Sequence, residues 1–578
     1  AYSDTGIYAK DVALIAKENI ENIGGNIVAD DNVFMYSENG DIKNSKKLSI
    51  HENDYHDVFT DVRGSGNIVG NNISIVANNV ENLGADIKAE NKIEIGAKKN
   101  LLIGNLEAVD KKVKDGGKDY VSDEKRTNVG SNLNAKDISL TSLGDIGISG
   151  SNIVATNETS IQAKGDISVV AGKDSILHKE KHSKSKGFGR SSSEESVAYA
   201  TRNVASNVIG DKVNITSEKD VNILGSNIQA DTEGEINAKG NITQAGVKDI
   251  NYSYHKKTKK GFMGLTSKSV TDENYAEKAI LSATLAGDKG LTYDSKNNLL
   301  LEGVKVVSSG SINLKGQNVE INPLETKAYS KHKEEKKGFS GSLSPKGVSL
   351  SYGKDKLSSD TDIVNQTASQ IVSNKDINIE ATDKVKAKSV DIYAKDDINI
   401  SGDKGVEIST ANNSYDNTTK QSSSRIGANF GVNPAIVNTV ENIKDIKNLT
   451  DFSGDTSDQS TPLNGHMGAE LKSSKYINDS EFVEAFMEKS IAYKFNNERG
   501  IAPDYVALGQ GASNYYDSWE EKMIYDKNPV YNCNAFMNTL AEKIKITNFN
   551  RDMPGLDPGS NTIIDDKYFK RIKLDRQK

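Results

Sequence analysis

The chain has 578 residues, of which 35% are hydrophobic and 6% aromatic, a low apolar content for a globular enzyme of this length. Its formal net charge of -8 implies no bulk affinity for nucleic acid. The single cysteine, Cys533, excludes an internal disulfide, and no apolar run reaches the ~18 residues that a membrane-spanning helix needs. The chain begins without Met, and we expect it to be a piece of a longer protein.

A short period runs through most of the chain. The tetrapeptide Asp-Ile-Asn-Ile at 376–379 recurs 21 residues later at 397–400, and Gly-Asp-Ile at 144–146 recurs at the same interval at 165–167. A fixed period near 20 residues, carried by alternating β-branched residues between Gly, Asn and Asp turns, is typical of a β-solenoid. Stacked coils bury what one coil cannot, because each Ile lies over the Ile of the next coil at the ~4.8 Å strand spacing. We therefore expect a β-helix over residues 1–430.

Three basic segments interrupt the short period and resemble one another. They span 181–188, 255–262 and 332–339, and their closing Gly-Phe pairs lie 74 and 77 residues apart. A fourth, degenerate copy is predicted at 414–430. Such polar residues do not fit the apolar stack, so each segment is predicted to be an arm that leaves the coils. The arm histidines His182, His255 and His332 lie among lysines, which favours a solvated surface over a metal site.

The layered repeat with its basic arms resembles the second haemagglutinin-type repeat region of the filamentous haemagglutinin and contact-dependent growth inhibition family. The resemblance covers roughly residues 1–430. It implies a right-handed parallel β-helix that is secreted to the bacterial cell surface through an outer-membrane two-partner transporter. It also implies a target-cell surface receptor and, in the toxins of this family, a C-terminal toxic domain with a cognate immunity protein.

The pattern changes after residue 430. Residues 431–463 are predicted to be a helix followed by a polar, turn-rich linker at 450–463. Residues 464–578 contain the only tryptophan, Trp519, and are enough for one compact domain, which we expect to be α+β.

Cys533 is the strongest candidate for chemistry in that domain. Apolar residues recur every four positions from Phe536 to Ile544, so Cys533 is predicted to stand at a helix N-terminus, which stabilises a thiolate. A nucleophilic cysteine also needs a base, usually His. His466 is the only histidine after residue 464, in a short predicted strand. The alternative is a buried structural cysteine and a surface histidine.

The order of these two residues resembles the circularly permuted papain-like enzymes, including the lecithin-retinol-acyltransferase-like family, in which the His strand precedes the Cys helix. The resemblance covers about 90 residues and implies a third polar residue that orients His466. Glu470, Asp504 and Gln510 are the options, and Asp504 is our choice. No cofactor and no metal are expected.

Three functions remain open from the sequence. The first is a secreted toxin, in which the repeats present a Cys-His hydrolase or acyltransferase that is delivered to a target cell. The second is an adhesin whose C-terminal region is a non-catalytic cap. The third is a nuclease tail, which is disfavoured because phosphodiester hydrolysis usually recruits several His, Lys or metal-binding carboxylates.

Overall fold

The computed structural model describes residues 5–344, 347–431, 505–506 and 531–532. The chain divides into two compact units, Ala1–Ser453 and Gly454–Lys578. Within the described residues of the first unit, every regular element is a strand apart from one 3-10 turn at Phe262–Gly264. No helix long and apolar enough to span a membrane occurs in the described part of the chain.

The strands in chain order are β1 (Gly6–Ala9), β2 (Val12–Ala16), β3 (Ile20–Ile23), β4 (Asn26–Ala29), β5 (Asn32–Ser37), β6 (Ile42–Ser45), β7 (Ser49–Glu52), β8 (Val58–Asp61), β9 (Ile68–Ala77), β10 (Val80–Leu83), β11 (Asp86–Ala97), β12 (Leu101–Gly104), β13 (Leu106–Asp115), β14 (Asp119–Val129), β15 (Asn132–Ser142), β16 (Ile146–Ser149), β17 (Asn152–Ala163), β18 (Ile167–Val170), β19 (Gly172–Lys186), β20 (Arg190–Val204), β21 (Asn207–Ser217), β22 (Val221–Leu224), β23 (Asn227–Ala238), β24 (Ile242–Ala245), β25 (Val247–Lys260), β26 (Ser267–Ile280), β27 (Ser282–Ala286), β28 (Gly290–Ser295), β29 (Asn298–Glu302), β30 (Val304–Ser308), β31 (Ile312–Asn322), β32 (Leu324–Ser344), β33 (Gly347–Thr367), β34 (Ser369–Ser373), β35 (Ile377–Lys388), β36 (Val390–Ala394), β37 (Ile398–Gly402), β38 (Gly405–Ser409), β39 (Ser414–Gly431), β40 (Tyr505–Val506) and β41 (Tyr531–Asn532).

Twenty-eight of these strands pair in parallel and wind through twelve coils. Each coil contributes to three stacks, which begin with the pairs β1–β4, β2–β5 and β3–β6. Longer strands such as β11 turn a corner and serve two stacks, with a register shift between Ala89 and Lys92 at the corner. This arrangement is a three-sided parallel β-helix, and it confirms the fold predicted from the short period.

An inner column of apolar side chains runs through the second stack, with one residue from each coil. Ile161, for example, lies in register between Leu140 and Ile215, and all three are fully buried. The column comprises Leu14, Met35, Ile75, Ile95, Leu140, Ile161, Ile215, Ile236, Tyr293, Leu314, Ile379 and Ile400. Burial of such side chains stabilises each by about 1.5–3 kcal/mol, so the columns are the main source of the stability of the coils.

The Gly-Asp-Ile recurrence marks a hydrogen-bonded corner between the second and third stacks. Oδ1 of Asp145 accepts the backbone N–H of Asp166 at 2.8 Å, and Oδ1 of Asp166 accepts the N–H of Asp220 at 3.1 Å. The same bond recurs along the corner from Asn19 through Asp41, Asn79 and Asn100 to Asp145, and beyond Asp220 through Asn241 to Asn298. These short side chains therefore satisfy a turn N–H in each neighbouring coil.

A second corner explains a longer repeat, the Gly-Ser-Asn-Ile segment that occurs at 150–153 and again at 225–228. Gly150 and Gly225 open the recurring Gly-Ser-Asn-Ile segments and have φ of 51° and 60°, a region that favours glycine. The buried serine after each glycine joins a second series of bonds, since Oγ of Ser151 accepts the N–H of Ser131 at 3.0 Å. The interval between the two segments corresponds to two coils and one inserted hairpin.

A polar cluster interrupts the apolar interior near β28. The hydroxyl of Tyr293, fully buried, lies 2.5 Å from Oε1 of Gln244 and 2.8 Å from Oγ1 of Thr284. Nε2 of Gln244 donates to Oγ of Ser282 at 3.0 Å. Because these buried groups bond to one another, the cluster avoids the cost of unpaired polar atoms.

Every second coil is followed by a hairpin. The five hairpins β7–β8, β13–β14, β19–β20, β25–β26 and β32–β33 pair with one another and with β39 in one eleven-stranded antiparallel sheet, which we call the arm sheet. The predicted arms are therefore confirmed as excursions, but they form a continuous sheet rather than separate loops. Gly187 lies at a hairpin tip, whereas Gly338 lies within β32 because that hairpin is longer.

Apolar side chains are exposed in the first and the twelfth of the described coils. Ile7 in the first coil is 44% exposed, and in the twelfth coil Ile398 is 45% and Ile408 is 73% exposed. The two identical tetrapeptides pair in register, with Ile377 opposite Ile398. Ile377 is nevertheless fully buried, whereas Ile398 is partly exposed. In the second unit, the described residues are two short strands, β40 and β41, that pair in parallel.

Candidate functional site

The arm sheet is the candidate functional surface, because most of its residues are half-buried or exposed on both faces. In an antiparallel sheet, residues directly opposite each other share a face. One face carries His178, His182, His255 and His332, and we call it the histidine face. The other carries Tyr199, Tyr252, Tyr275 and Tyr329, and we call it the tyrosine face.

Each histidine of the histidine face meets a carboxylate on the neighbouring hairpin. These contacts therefore lie at three successive junctions between hairpins, β14–β19, β20–β25 and β26–β32. The nitrogen–oxygen distances are 2.6 Å for His178 Nδ1 and Asp123, 2.8 Å for His182 Nδ1 and Asp119, 2.9 Å for His255 Nε2 and Glu194, and 2.5 Å for His332 Nδ1 and Asp272. At the next junction, Arg425 Nη2 lies 2.7 Å from Asp355 on β33.

The neighbouring carboxylates change the pKa of two of these histidines, His178 and His182. The hydrogen bond with Asp123 raises the pKa of His178, and those with Asp119 and then Glu180 raise the pKa of His182. The protonated imidazoles are thus favoured in the folded sheet. Their contribution to stability is fully present below the ordinary His pKa of about 6.5 and is lost as the pH rises through the raised values.

A depression of about 390 Å³ lies beside these histidines, lined by Ile176, His178, Ala198, Ala200, Ser253 and Ala276. Its exposed lining is mostly apolar, although Asn251 and Asn274 also border it. No group of three His, Cys, Asp or Glu in the described ranges could hold a metal ion. The histidines of this face lie at junction contacts between neighbouring hairpins.

The tyrosine face carries four tyrosines in one cross-strand row. Tyr199 lies opposite Tyr252, Tyr252 opposite Tyr275, and Tyr275 opposite Tyr329. The rings of Tyr275 and Tyr329 stack with centroids 5.3 Å apart and planes inclined by 16°. Nζ of Lys331 lies 4.4 Å from the centroid of the Tyr329 ring. Cross-strand aromatic pairs of this kind stabilise a sheet by roughly 0.2–1 kcal/mol each.

A row of lysines lies four residues nearer the hairpin tips on the same face. Lys181, Lys256 and Lys333 are exposed and occupy alternate strands, with Glu195 and Thr271 between them. Strands two apart are separated by about 10 Å, so the three ammonium groups form a regular line. Such a line attracts anionic surfaces at low ionic strength.

Comparison with protein families identifies the repeats. A family model described as hemagglutinin repeat matches residues 114–261, 186–337 and 350–472, which together are more than half of the chain. The chain belongs to the hemagglutinin repeat family. No curated protein and no solved structure matches it.

The hemagglutinin repeat matches correspond to units of the fold. The first runs from the tip of the β13–β14 hairpin to the tip of β25–β26, and the second begins at the tip of β19–β20 and ends within β32. These two matches therefore each span two successive units of two coils and one hairpin. Membership of this family supports a secreted or cell-surface exoprotein with an adhesin-like rod, and it suggests a two-partner secretion substrate with an outer-membrane transporter as partner.

The predicted catalytic residues Cys533, His466 and Asp504 lie outside the described residues. Cys533 directly follows β41 in the sequence, and Asp504 directly precedes β40. The C-terminal boundaries, the α+β fold of 464–578, the helix and linker of 431–463 and the Cys-His constellation thus stay predictions.

Sequence reasoning did not find the tyrosine row or the first two hairpins. One signal was present, since Tyr252 and His255 have the same three-residue spacing as Tyr329 and His332. A spacing of three puts the two side chains on opposite faces of a strand. The remaining tyrosines, Tyr199 on β20 and Tyr275 on β26, lie on return strands. The Tyr-Ala pairs that begin at these two positions lie 76 residues apart, close to the period of the basic segments, and are a second signal.

Proposed function

We propose that this hemagglutinin repeat protein is an exported adhesin-like rod that contacts its target through the arm sheet. The observation that carries the proposal is the exposed lysine row on the tyrosine face. The coils bury their apolar residues inward, whereas the arms present both faces of a sheet to solvent. A contact surface of this kind suits an anionic cell surface, because long-range attraction acts on exposed charges.

Binding of the full chain to target cells tests this proposal. The triple variant Lys181→Gln, Lys256→Gln and Lys333→Gln should bind target cells markedly less than the parent chain at low salt. Added salt should reduce the difference in binding between the parent chain and the variant. A matched control replaces three exposed lysines of the coils, Lys164, Lys219 and Lys289, by Gln. Equal loss in both triple variants would assign the effect to net charge rather than to the arm sheet.

We further propose that the C-terminal region, residues 464–578, is a toxin presented by the rod. In this proposal Cys533 attacks an acyl carbon of an ester, amide or thioester, His466 acts as its base and Asp504 orients His466. Backbone N–H groups at a helix start would hold the tetrahedral oxyanion. A surface receptor on the target cell and a cognate immunity protein would be its partners. The sequence context of Cys533 supports the proposal, as does the resemblance of the repeats to the contact-dependent growth inhibition family, which implies a C-terminal toxin.

Alkylation with iodoacetamide tests the chemistry cleanly, because the chain has one thiol. The rate should follow an apparent pKa well below the ~8.5 of a free cysteine, and His466→Ala should slow it at neutral pH. Growth of target cells should be inhibited by the parent chain and not by Cys533→Ala. An alkylation profile like that of a free thiol, unchanged by His466→Ala, would favour the adhesin with a non-catalytic cap.

A further inference from the structure

The stacked tyrosines of the arm sheet have a feature that an ordinary packing contact does not need. The Tyr275 hydroxyl donates to Oε1 of Glu277 at 2.7 Å, and the Tyr329 hydroxyl donates to Oε1 of Glu273 at 2.9 Å. Each phenol therefore has its own carboxylate as proton acceptor. The two rings belong to different hairpins, since Tyr275 is on β26 and Tyr329 on β32.

The phenols are held neutral in this arrangement. Burial, followed by the hydrogen bond to a carboxylate, raises the pKa of both Tyr275 and Tyr329 to about 12. A neutral phenol is hard to oxidise unless its proton leaves with the electron, and the ammonium of Lys331 over the Tyr329 ring further disfavours positive charge there. The carboxylates of Glu277 and Glu273 are placed to take those protons.

We propose that Tyr275 and Tyr329 are a site of oxidative cross-linking, at which a one-electron oxidant joins two hairpins of the arm sheet through a dityrosine bond. The rings are half-buried rather than enclosed, so part of each ring is accessible to an oxidant. Their stacking at 5.3 Å brings the two radicals together before either diffuses to another partner. Tyr252 and Tyr199 continue the row and supply further oxidisable rings beside the pair.

The reaction balances with hydrogen peroxide and a haem peroxidase as oxidant. Each phenol loses one electron and one proton to give a tyrosyl radical. The radicals couple through the carbons ortho to their oxygens, and the two ortho hydrogens then move to the oxygens to restore the phenols. The two protons and two electrons released reduce one peroxide to two waters, and the product lacks two hydrogens relative to the parent.

The bond would supply what this chain lacks. With a single cysteine, the protein has no internal disulfide to brace an exposed sheet. The chain between β26 and β32 runs through two whole coils, so the two hairpins are held together by strand pairing and side-chain contacts alone. A carbon–carbon bond at this junction would keep Tyr275 and Tyr329 joined even when the strand pairing between β26 and β32 opens.

Peptide mass spectrometry of the full-length chain after treatment with peroxidase and hydrogen peroxide tests the proposal. The expected product is an intramolecular peptide pair joined through Tyr275 and Tyr329 that lacks two hydrogens, together with dityrosine fluorescence. Tyr329→Phe and, separately, Tyr275→Phe should abolish that pair. The control Tyr393→Phe removes an exposed tyrosine that faces Val372 and should leave the yield unchanged.

The double variant Glu273→Gln and Glu277→Gln separates a built site from mere proximity. It keeps hydrogen-bond acceptors but removes the proton-accepting carboxylates, so cross-linking should slow several-fold while circular dichroism is unchanged. Cross-links spread over exposed tyrosines in proportion to their accessibility, or found between molecules only, would overturn the proposal. An unchanged rate in the Gln variant would overturn the role of the carboxylates.

Discussion

Replacing the same residue in the two identical tetrapeptides separates burial from sequence pattern. Ile377 packs between Ile312 and Ile398 and is fully buried, whereas Ile398 is 45% exposed. Ile→Ala removes three carbons, each contributing about 0.8 kcal/mol when buried, and an enclosed site adds a cavity cost. Ile377→Ala should therefore cost about 3–4 kcal/mol, and Ile398→Ala only about 1 kcal/mol because the site is open.

Local hydrogen exchange is the appropriate assay, because stacked repeats do not always unfold in one step. In the full chain, Ile377→Ala should reduce the hydrogen-exchange protection of the β35 amides by roughly 100-fold or more. Ile398→Ala should reduce the protection of the same amides by only about 5-fold. Far-UV circular dichroism controls for loss of the whole fold. Equal losses would refute the reasoning, since they would show that the twelfth coil is as enclosed as the eleventh.

Three further changes test other parts of the structure. Asp166→Asn should keep the corner hydrogen bond to the N–H of Asp220 and should stabilise the coils slightly, because Asp145, Asp166 and Asp220 are like charges in adjacent coils. A small rise in the melting temperature at low salt is the expected result. Tyr293→Phe should cost about 1–2 kcal/mol in denaturant unfolding, since a buried hydroxyl bond is lost. NMR titration should place the pKa of His178 above 6.5. Protection of the β14–β19 junction should fall as the pH rises through the raised pKa, and Asp123→Asn should reduce both effects, because Glu180 also raises the pKa.

The coils could be predicted from the sequence because they depend on near neighbours. A period of 21 residues brings Ile377 under Ile398 without any knowledge of the rest of the chain. The same period could not show that one isoleucine is buried and the other exposed. Their tetrapeptides are identical, and the difference in burial depends on the coils that stack on each of them: Ile377 pairs with Ile312 and with Ile398, whereas Ile398 pairs only with Ile377 within the described residues.

The arm sheet was less accessible to prediction because its partners are distant. Asp123 and His178 are 55 residues apart, and Asp272 and His332 are 60 apart. The basic segments were visible as excursions, but the hairpins have no buried column that would fix their register. Only the pairing of whole strands places the tyrosines opposite one another. The catalytic prediction at Cys533 depends on a constellation outside the described residues, and the alkylation experiment is its direct test.

The two sheets of the first unit are stabilised in different ways, and this bears on the proposed function. Buried apolar columns stabilise the coils. The arm sheet is instead stabilised by cross-strand contacts of roughly 0.2–1 kcal/mol each and by ion pairs that are weak when exposed. Successive hairpins are connected only through the coils, so one hairpin can separate from the next while the columns stay intact. The arm sheet should therefore open before the coils do. An arm sheet that can rearrange while the coils stay folded is consistent with an adhesin. A bond between Tyr275 and Tyr329 would prevent the two hairpins from separating at one junction.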